Sequence, residues 1–79
     1  MWIERKSPSR IERRFEFESY ARTSLFMQRI ENLCKENVIY PNISFGKTIV
    51  SLTIIFLEDE ETNQRLTEFS KMIDEIYDG

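Results

Sequence analysis

Alternating apolar and polar positions mark residues 47–57 as one long β-strand. Its β-branched residues suit a pleated surface, and at the strand rise it would span roughly 36 Å. One face is wholly apolar and consists of Val50, Leu52, Ile54 and Phe56. The other face mixes Ser51 and Thr53 with apolar residues, which is too apolar for water and too polar for a core. It therefore predicts a second partner surface, another subunit being one candidate.

Two weaker alternations precede the first helix. Residues 10–17 predict a half-buried strand whose inner face carries Ile11, Arg13, Phe15 and Phe17. Residues 2–6 predict a short edge strand, which Pro8 closes. Residues 38–46 are predicted to be irregular, because Pro41 interrupts any ladder and Gly46 permits a bend.

Two stretches have the three- and four-residue apolar spacing of amphipathic helices. The first predicts a helix over residues 20–36, with Ser19 as its N-cap and Asn37 as a left-handed terminator. The second predicts a helix that follows the acidic run 58–61, is capped by Thr62 or Asn63 and continues to the C-terminus. The order of elements is β-β-α-β(β)-α, in which the bracketed strand is whatever residues 43–45 contribute. This order predicts an α+β two-layer sandwich, with an antiparallel sheet of about four strands and both helices on its one apolar face.

Composition limits the classes of protein that this chain fits. Its 79 residues predict a single domain, 1–79, whose small core favours oligomerisation. The single Cys34 excludes an internal disulfide, and no segment has the pattern of a membrane span or signal peptide. We therefore expect a soluble cytoplasmic protein. Residues 1–35 carry a net charge of +3 and residues 36–79 a net charge of −6, which suits protein partners better than nucleic acid.

Candidate catalytic chemistry is sparse. The chain contains no histidine, the side chain best suited to proton transfer near neutral pH. No carboxylate lies on an apolar stripe or on the central strand, and nothing spaces metal ligands around the acidic run. We expect no catalytic residue, no metal and no cofactor.

Several stretches together resemble the pterin-4a-carbinolamine dehydratase family. The stretches that carry the resemblance are residues 14–17 with Tyr20, residues 26–30, Pro41, the strand residues Val50, Leu52 and Ile54, and residues 66–73. The family's catalytic histidines fall on Ile39, Tyr40 and Leu57, and the aspartate of its last motif falls on Leu66. The resemblance implies the two-layer fold without the dehydratase chemistry.

A closer resemblance within this family is to the dehydratase-like RuBisCO assembly factors encoded with α-carboxysome genes. It rests on the arginine-rich residues 11–17 and on residues 40–54, YPNISFGKTIVSLTI. The resemblance implies a non-enzymatic homodimer that binds the RuBisCO large subunit, needs no small-molecule substrate and is associated with the carboxysome. Two alternatives remain, namely a different dimeric interaction module or coactivator of this fold, and a residual dehydratase with a site rebuilt around Tyr40 and Lys47.

Candidate binding residues follow from these patterns. The partner-binding candidates are Arg13, Arg14, Tyr40, Asn42, Phe45 and Lys47. Ile49, Ile55 and Leu57 are the candidates for a dimer interface that joins two sheets edge to edge or face to face. Each set has a simpler interpretation. The aromatic residues of segment 40–46 could fill the pocket left by the missing histidines, and the arginines could only solvate a strand.

Overall fold

The computed structural model describes residues 1–78 and contains four strands and two helices. In chain order these are β1 (Ile3–Arg5), β2 (Arg10–Glu16), α1 (Tyr20–Asn37), β3 (Asn42–Phe45), β4 (Ile49–Ile55) and α2 (Glu60–Asp78). The strands form one antiparallel sheet in the order β1-β2-β4-β3. The α+β two-layer sandwich predicted from the sequence is therefore confirmed.

The core lies between the helices and one face of the two central strands. In the register of β2 with β4, Ile11 lies opposite Ile54 and Phe15 opposite Val50, so their apolar side chains share the inner face. The helices cover this face with Phe26, Ile30, Cys34, Leu66, Phe69 and Ile73, all of them buried. The ring centroid of Phe15 lies 5.0 Å from that of Phe26 and 4.9 Å from that of Tyr77, within the range of favourable aromatic pairs.

The long strand predicted over residues 47–57 is shorter in the structure. Strand β4 covers seven residues, because Lys47 and Thr48 form the tip of a hairpin and Phe56 and Leu57 lie beyond the strand's end. The Gly46 N–H donates to the Ile49 carbonyl at 2.8 Å and closes this turn. The optional strand at residues 43–45 is present as β3, inside the segment otherwise predicted to be irregular, and Pro41 precedes this strand rather than interrupting it.

The helix starts are fixed by side-chain caps. As predicted, the Ser19 hydroxyl accepts a hydrogen bond from the Arg22 N–H at 3.2 Å. The cap predicted for the second helix was wrong, because Asp59 fills that role rather than Thr62 or Asn63. The Asp59 carboxylate accepts hydrogen bonds from the Thr62 hydroxyl and from the N–H groups of Thr62 and Glu61, which lowers its pKa.

The C-terminal end of α1 also differs from the prediction. Asn37 remains helical, and its side-chain amide donates to the Leu33 carbonyl at 2.9 Å. Val38 takes the left-handed conformation instead, with φ 54° and ψ 44°. A β-branched residue rarely adopts this conformation, and the Val38 side chain gains little from packing because 74% of it is exposed.

We therefore expect Val38→Gly to stabilise the protein. The substitution relieves the left-handed strain and removes almost no buried surface, so the free energy of unfolding should rise by about 1 kcal/mol. Urea unfolding measures this difference. Lys35→Gly, an exposed position inside the same helix turn, is the matched control and should lower stability by about 1 kcal/mol. If both variants lowered the free energy of unfolding by the same amount, the result would contradict the strain at Val38.

Candidate partner-binding surface

The four positions to which the resemblance assigns the family's catalytic side chains lie towards one end of the sheet. Strand β3 begins opposite the C-terminal part of β4, since Asn42 pairs with Thr53. Ile39 and Tyr40, which precede β3, are thereby brought to the end of the sheet from which Leu57 leaves β4. Leu66 lies on α2, which starts at the same end, and is part of the core.

The four side chains at this end of the molecule are three apolar groups and one phenol. Ile39 is half-buried and Leu66 buried, whereas Tyr40 and Leu57 are 69% and 60% exposed. The Leu57 backbone is held by the Asn63 side chain, whose Oδ1 accepts from its N–H at 2.8 Å and whose Nδ2 donates to its carbonyl at 2.6 Å. Of the four, only Tyr40 and Leu57 therefore offer a largely exposed surface to a partner.

The described part of the chain offers neither a cluster of metal ligands nor a membrane-spanning helix. Residues 1–78 contain no group of three His, Cys, Asp or Glu side chains placed to hold a metal ion. Over the same residues, neither helix is long and apolar enough to cross a membrane. The Cys34 thiol is buried in the core, and this burial, with a smaller effect of the Glu31 charge, raises its pKa and keeps it protonated at neutral pH.

The segment between α1 and β4 presents apolar side chains to solvent. Its exposed apolar residues are Val38, Tyr40, Ile43 and Phe45. The aromatic rings of Tyr40 and Phe45 therefore do not fill a vacated pocket, which was the simpler of the two interpretations. Sequence reasoning left Ile43 out, although its position two residues before Phe45 in an alternating stretch already placed both side chains on one face.

Arg13 differs from the other candidate binding residues because it packs between the two layers. Its side chain is 15% exposed, and its Nη1 donates to Asp74 Oδ1 at 2.5 Å. The guanidinium carbon also lies 4.5 Å from the centroid of the Phe15 ring and 5.2 Å from that of Tyr77. This arrangement ties β2 to α2 and engages Arg13 within its own chain.

Asp74, which sequence reasoning missed, and Trp2 complete this contact between the layers. Asp74 lies on α2 and accepts both from Arg13 and from the Trp2 indole, whose Nε1 is 2.8 Å from Asp74 Oδ1. Trp2 thus fastens the short strand β1 to the helical layer. A signal was present in the sequence, since a lone arginine on an otherwise apolar strand face requires a carboxylate from the layer that covers it.

The remaining polar candidates lie on the exposed surface. Arg14 is 62% exposed and lies 3.7 Å from the equally open Glu16, a pair that contributes little to stability. Asn42 begins β3, and Lys47 lies at the hairpin tip. Arg10, in contrast, donates to the Pro8 carbonyl at 2.9 Å, which agrees with a structural role for it.

The three candidate dimer residues do not form one continuous patch. Ile49 and Ile55 occupy opposite ends of β4, about 20 Å apart at the strand rise, on the sheet face away from the helices. Charged side chains of β2 lie beside them, since Ile49 pairs with Glu16 and Ile55 with Arg10. Leu57 lies beyond the end of the strand.

Comparison with solved structures gives an informative similarity. No family model matches the sequence, and no curated protein matches it either. Among solved structures, the chain is similar to a pterin dehydratase-like protein identified as a RuBisCO assembly factor in the α-carboxysome. The two share 32% sequence identity and a TM-score of 0.84, over 96% of this chain and 88% of the other.

The Arg13–Asp74 contact leads to a stability prediction. Asp74→Ala should lower the free energy of unfolding by about 2 kcal/mol, because it leaves the Arg13 charge half-buried and unpaired. The double variant Arg13→Met/Asp74→Ala should recover part of this loss, since it removes the buried charge as well. Chemical unfolding measures both values.

Glu75→Ala is the matched control, as Glu75 is an exposed carboxylate next to Asp74 on the same helix. Its effect should stay within about 0.5 kcal/mol. A double variant that is less stable than Asp74→Ala would argue against a role for charge at this contact.

Proposed function

The chain belongs to the pterin dehydratase-like family, and from this premise we propose that it is a non-enzymatic RuBisCO assembly factor associated with the α-carboxysome. The observation that carries the proposal is the match to such a factor over 96% of this chain at 32% identity. The lack of histidine supports a binding role, since the chain has no side chain whose ordinary pKa lies near neutrality. The proposed client is the RuBisCO large subunit.

The proposal includes a homodimer joined edge to edge through β3. Along β3, the backbone N–H and C=O groups of successive residues point alternately towards β4 and away from it. The hydrogen bond from the Gly46 N–H to the Ile49 carbonyl fixes this alternation, so the backbone groups of Asn42 and Ser44 bond to β4. The N–H and C=O groups of Ile43 and Phe45 therefore point away from β4, towards the free edge of the sheet. An open strand edge of this kind is a ready template for a second strand.

A second copy of β3 fits this edge in an antiparallel arrangement. If Ser44 lies on the two-fold axis, Ile43 pairs with Phe45 of the other copy, and both outward-facing residues of each strand form hydrogen bonds. The same register places each exposed Ile43 side chain beside an exposed Phe45 ring. Dimerisation then covers apolar surface that the monomer leaves in water.

The alternative face-to-face dimer is disfavoured by charge. It would bury the outer side chains of β2, namely Arg10, Glu12, Arg14 and Glu16, in order to cover two separated isoleucines. Unless each charged group finds a partner, burying the four charges costs more free energy than burying the two isoleucines contributes. The edge-to-edge arrangement leaves all four in water.

A two-fold dimer suits the proposed task. Two equivalent surfaces bind a client that has its own two-fold axis more tightly than they bind a single client chain, because the second contact becomes intramolecular. The dimer would thereby favour correctly paired large subunits. Release needs a contact of modest area with a polar rim.

The proposed function predicts direct binding. The purified protein should sediment as a dimer and should co-sediment with RuBisCO large subunit from the same source. It should also neither bind nor turn over a pterin carbinolamine. A dimer that does not bind large subunit would contradict the assembly role. Pterin turnover by the wild-type protein that is lost in Tyr40→Phe would instead support the residual dehydratase.

The dimer arrangement has its own test. Proline at position 43 removes an N–H that points to the free edge and leaves the hydrogen bonds between β3 and β4 intact, so Ile43→Pro should sediment as a folded monomer. Ile43→Val keeps the N–H and should remain dimeric.

Ile55→Glu places a charge on the face away from the helices and should also remain dimeric. A monomeric Ile55→Glu together with a dimeric Ile43→Pro would reverse the assignment and support the face-to-face dimer.

A further inference from the structure

The sheet face away from the helices carries an ordered row of hydrogen-bonding side chains. Arg14 on β2 lies opposite Ser51 on β4, and Ser51 lies opposite Ser44 on β3. All three positions point away from the core, because their strand neighbours Phe15, Val50 and Phe45 occupy the inner face. One guanidinium and two hydroxyls thus line up across three strands.

We propose that this row, Arg14–Ser51–Ser44, is the client-binding surface, and that it takes an acidic protein surface with two-fold symmetry. The proposal rests on the proposed function and specifies where the client contacts the dimer. The row combines a charged donor with hydroxyls, and this is the set of groups that binds carboxylates. Helices cover the opposite face of the sheet, so within residues 1–78 this face is left for a partner.

The distribution of charge selects an acidic partner for this face. Its charged residues on β1 and β2 are three arginines and two glutamates, Arg5, Arg10, Arg14, Glu12 and Glu16. Glu12 is engaged by Arg5 at 3.0 Å and by Arg10 at 3.6 Å, which leaves the exposed Arg14 with only its weak Glu16 contact. Helix α2, in contrast, carries six acidic and two basic residues. An acidic client is therefore attracted to the sheet and repelled from α2.

The edge-to-edge dimer doubles the row. With Ser44 on the two-fold axis, the row continues through Ser44, Ser51 and Arg14 of the second copy. Five strand spacings then separate the two Arg14 positions by about 24 Å. The hydroxyls occupy the centre and the guanidiniums the ends. A client with one acidic patch on each side of its own two-fold axis would meet both ends at once.

The test measures the affinity of the dimer for RuBisCO large subunit after charge reversal on either layer. Arg14→Glu should weaken binding at least tenfold, and Arg14→Gln should weaken it less. Raising the salt concentration should reduce the difference in affinity between the wild-type protein and Arg14→Gln, because salt screens an exposed charge contact. Arg29→Glu is the matched control. Arg29 is an equally exposed arginine, but it lies on α1 and lines a cleft of about 440 Å³ between the helices.

Sedimentation and circular dichroism should first show that each variant is a folded dimer. If Arg14→Glu binds large subunit with wild-type affinity, the proposed surface is wrong. If only Arg29→Glu loses binding, the client contacts the helical layer instead. If wild-type protein itself fails to bind large subunit, the proposed function fails and this inference fails with it. The wild-type measurement thus distinguishes the two failures.

Discussion

The pairing of β2 with β4 is the constraint on which the rest of the structure depends. Seven residue pairs join the two strands from Arg10–Ile55 to Glu16–Ile49 and bring two apolar rows onto one face. A slip of one residue would put the apolar row of one strand on the opposite face from the row of the other, so the two could no longer share a core. Both helices pack on the face that this register defines, and the two short strands can only extend the sheet at its edges.

The tie between Arg13 and Asp74 shows how a polar contact can serve the same purpose as apolar packing. Arg13 occupies an inward-facing position on β2, where a charge without a partner would be costly. Asp74 supplies the partner charge from α2, and Trp2 adds its indole N–H from the N-terminal end of the chain. One carboxylate thereby fixes the helix relative to the sheet and holds the short edge strand in place.

Exposed apolar side chains gather at one end of this molecule. The resemblance to the dehydratases assigns their histidine positions to Ile39, Tyr40 and Leu57, and the side chains of Tyr40 and Leu57 are largely exposed. The hairpin of β3 and β4 adds Ile43 and Phe45 beside them. A surface rich in exposed apolar groups and next to a free strand edge favours association over chemistry. The proposed dimer uses that edge and leaves the polar sheet face for a client.

The sequence by itself determined the order of elements, the two-layer class and the apolar faces, because periodicities of two and of about 3.6 residues report which side of a strand or helix is buried. It also identified Ser19 as a cap, since capping is a local interaction. It did not determine the contact between Arg13 and Asp74, which are 61 residues apart in the chain. Nor did it show that Lys47 and Thr48 form a turn, that Val38 is strained or that Tyr40 is exposed. These features depend on which segments meet in space, and only the tertiary structure decides that.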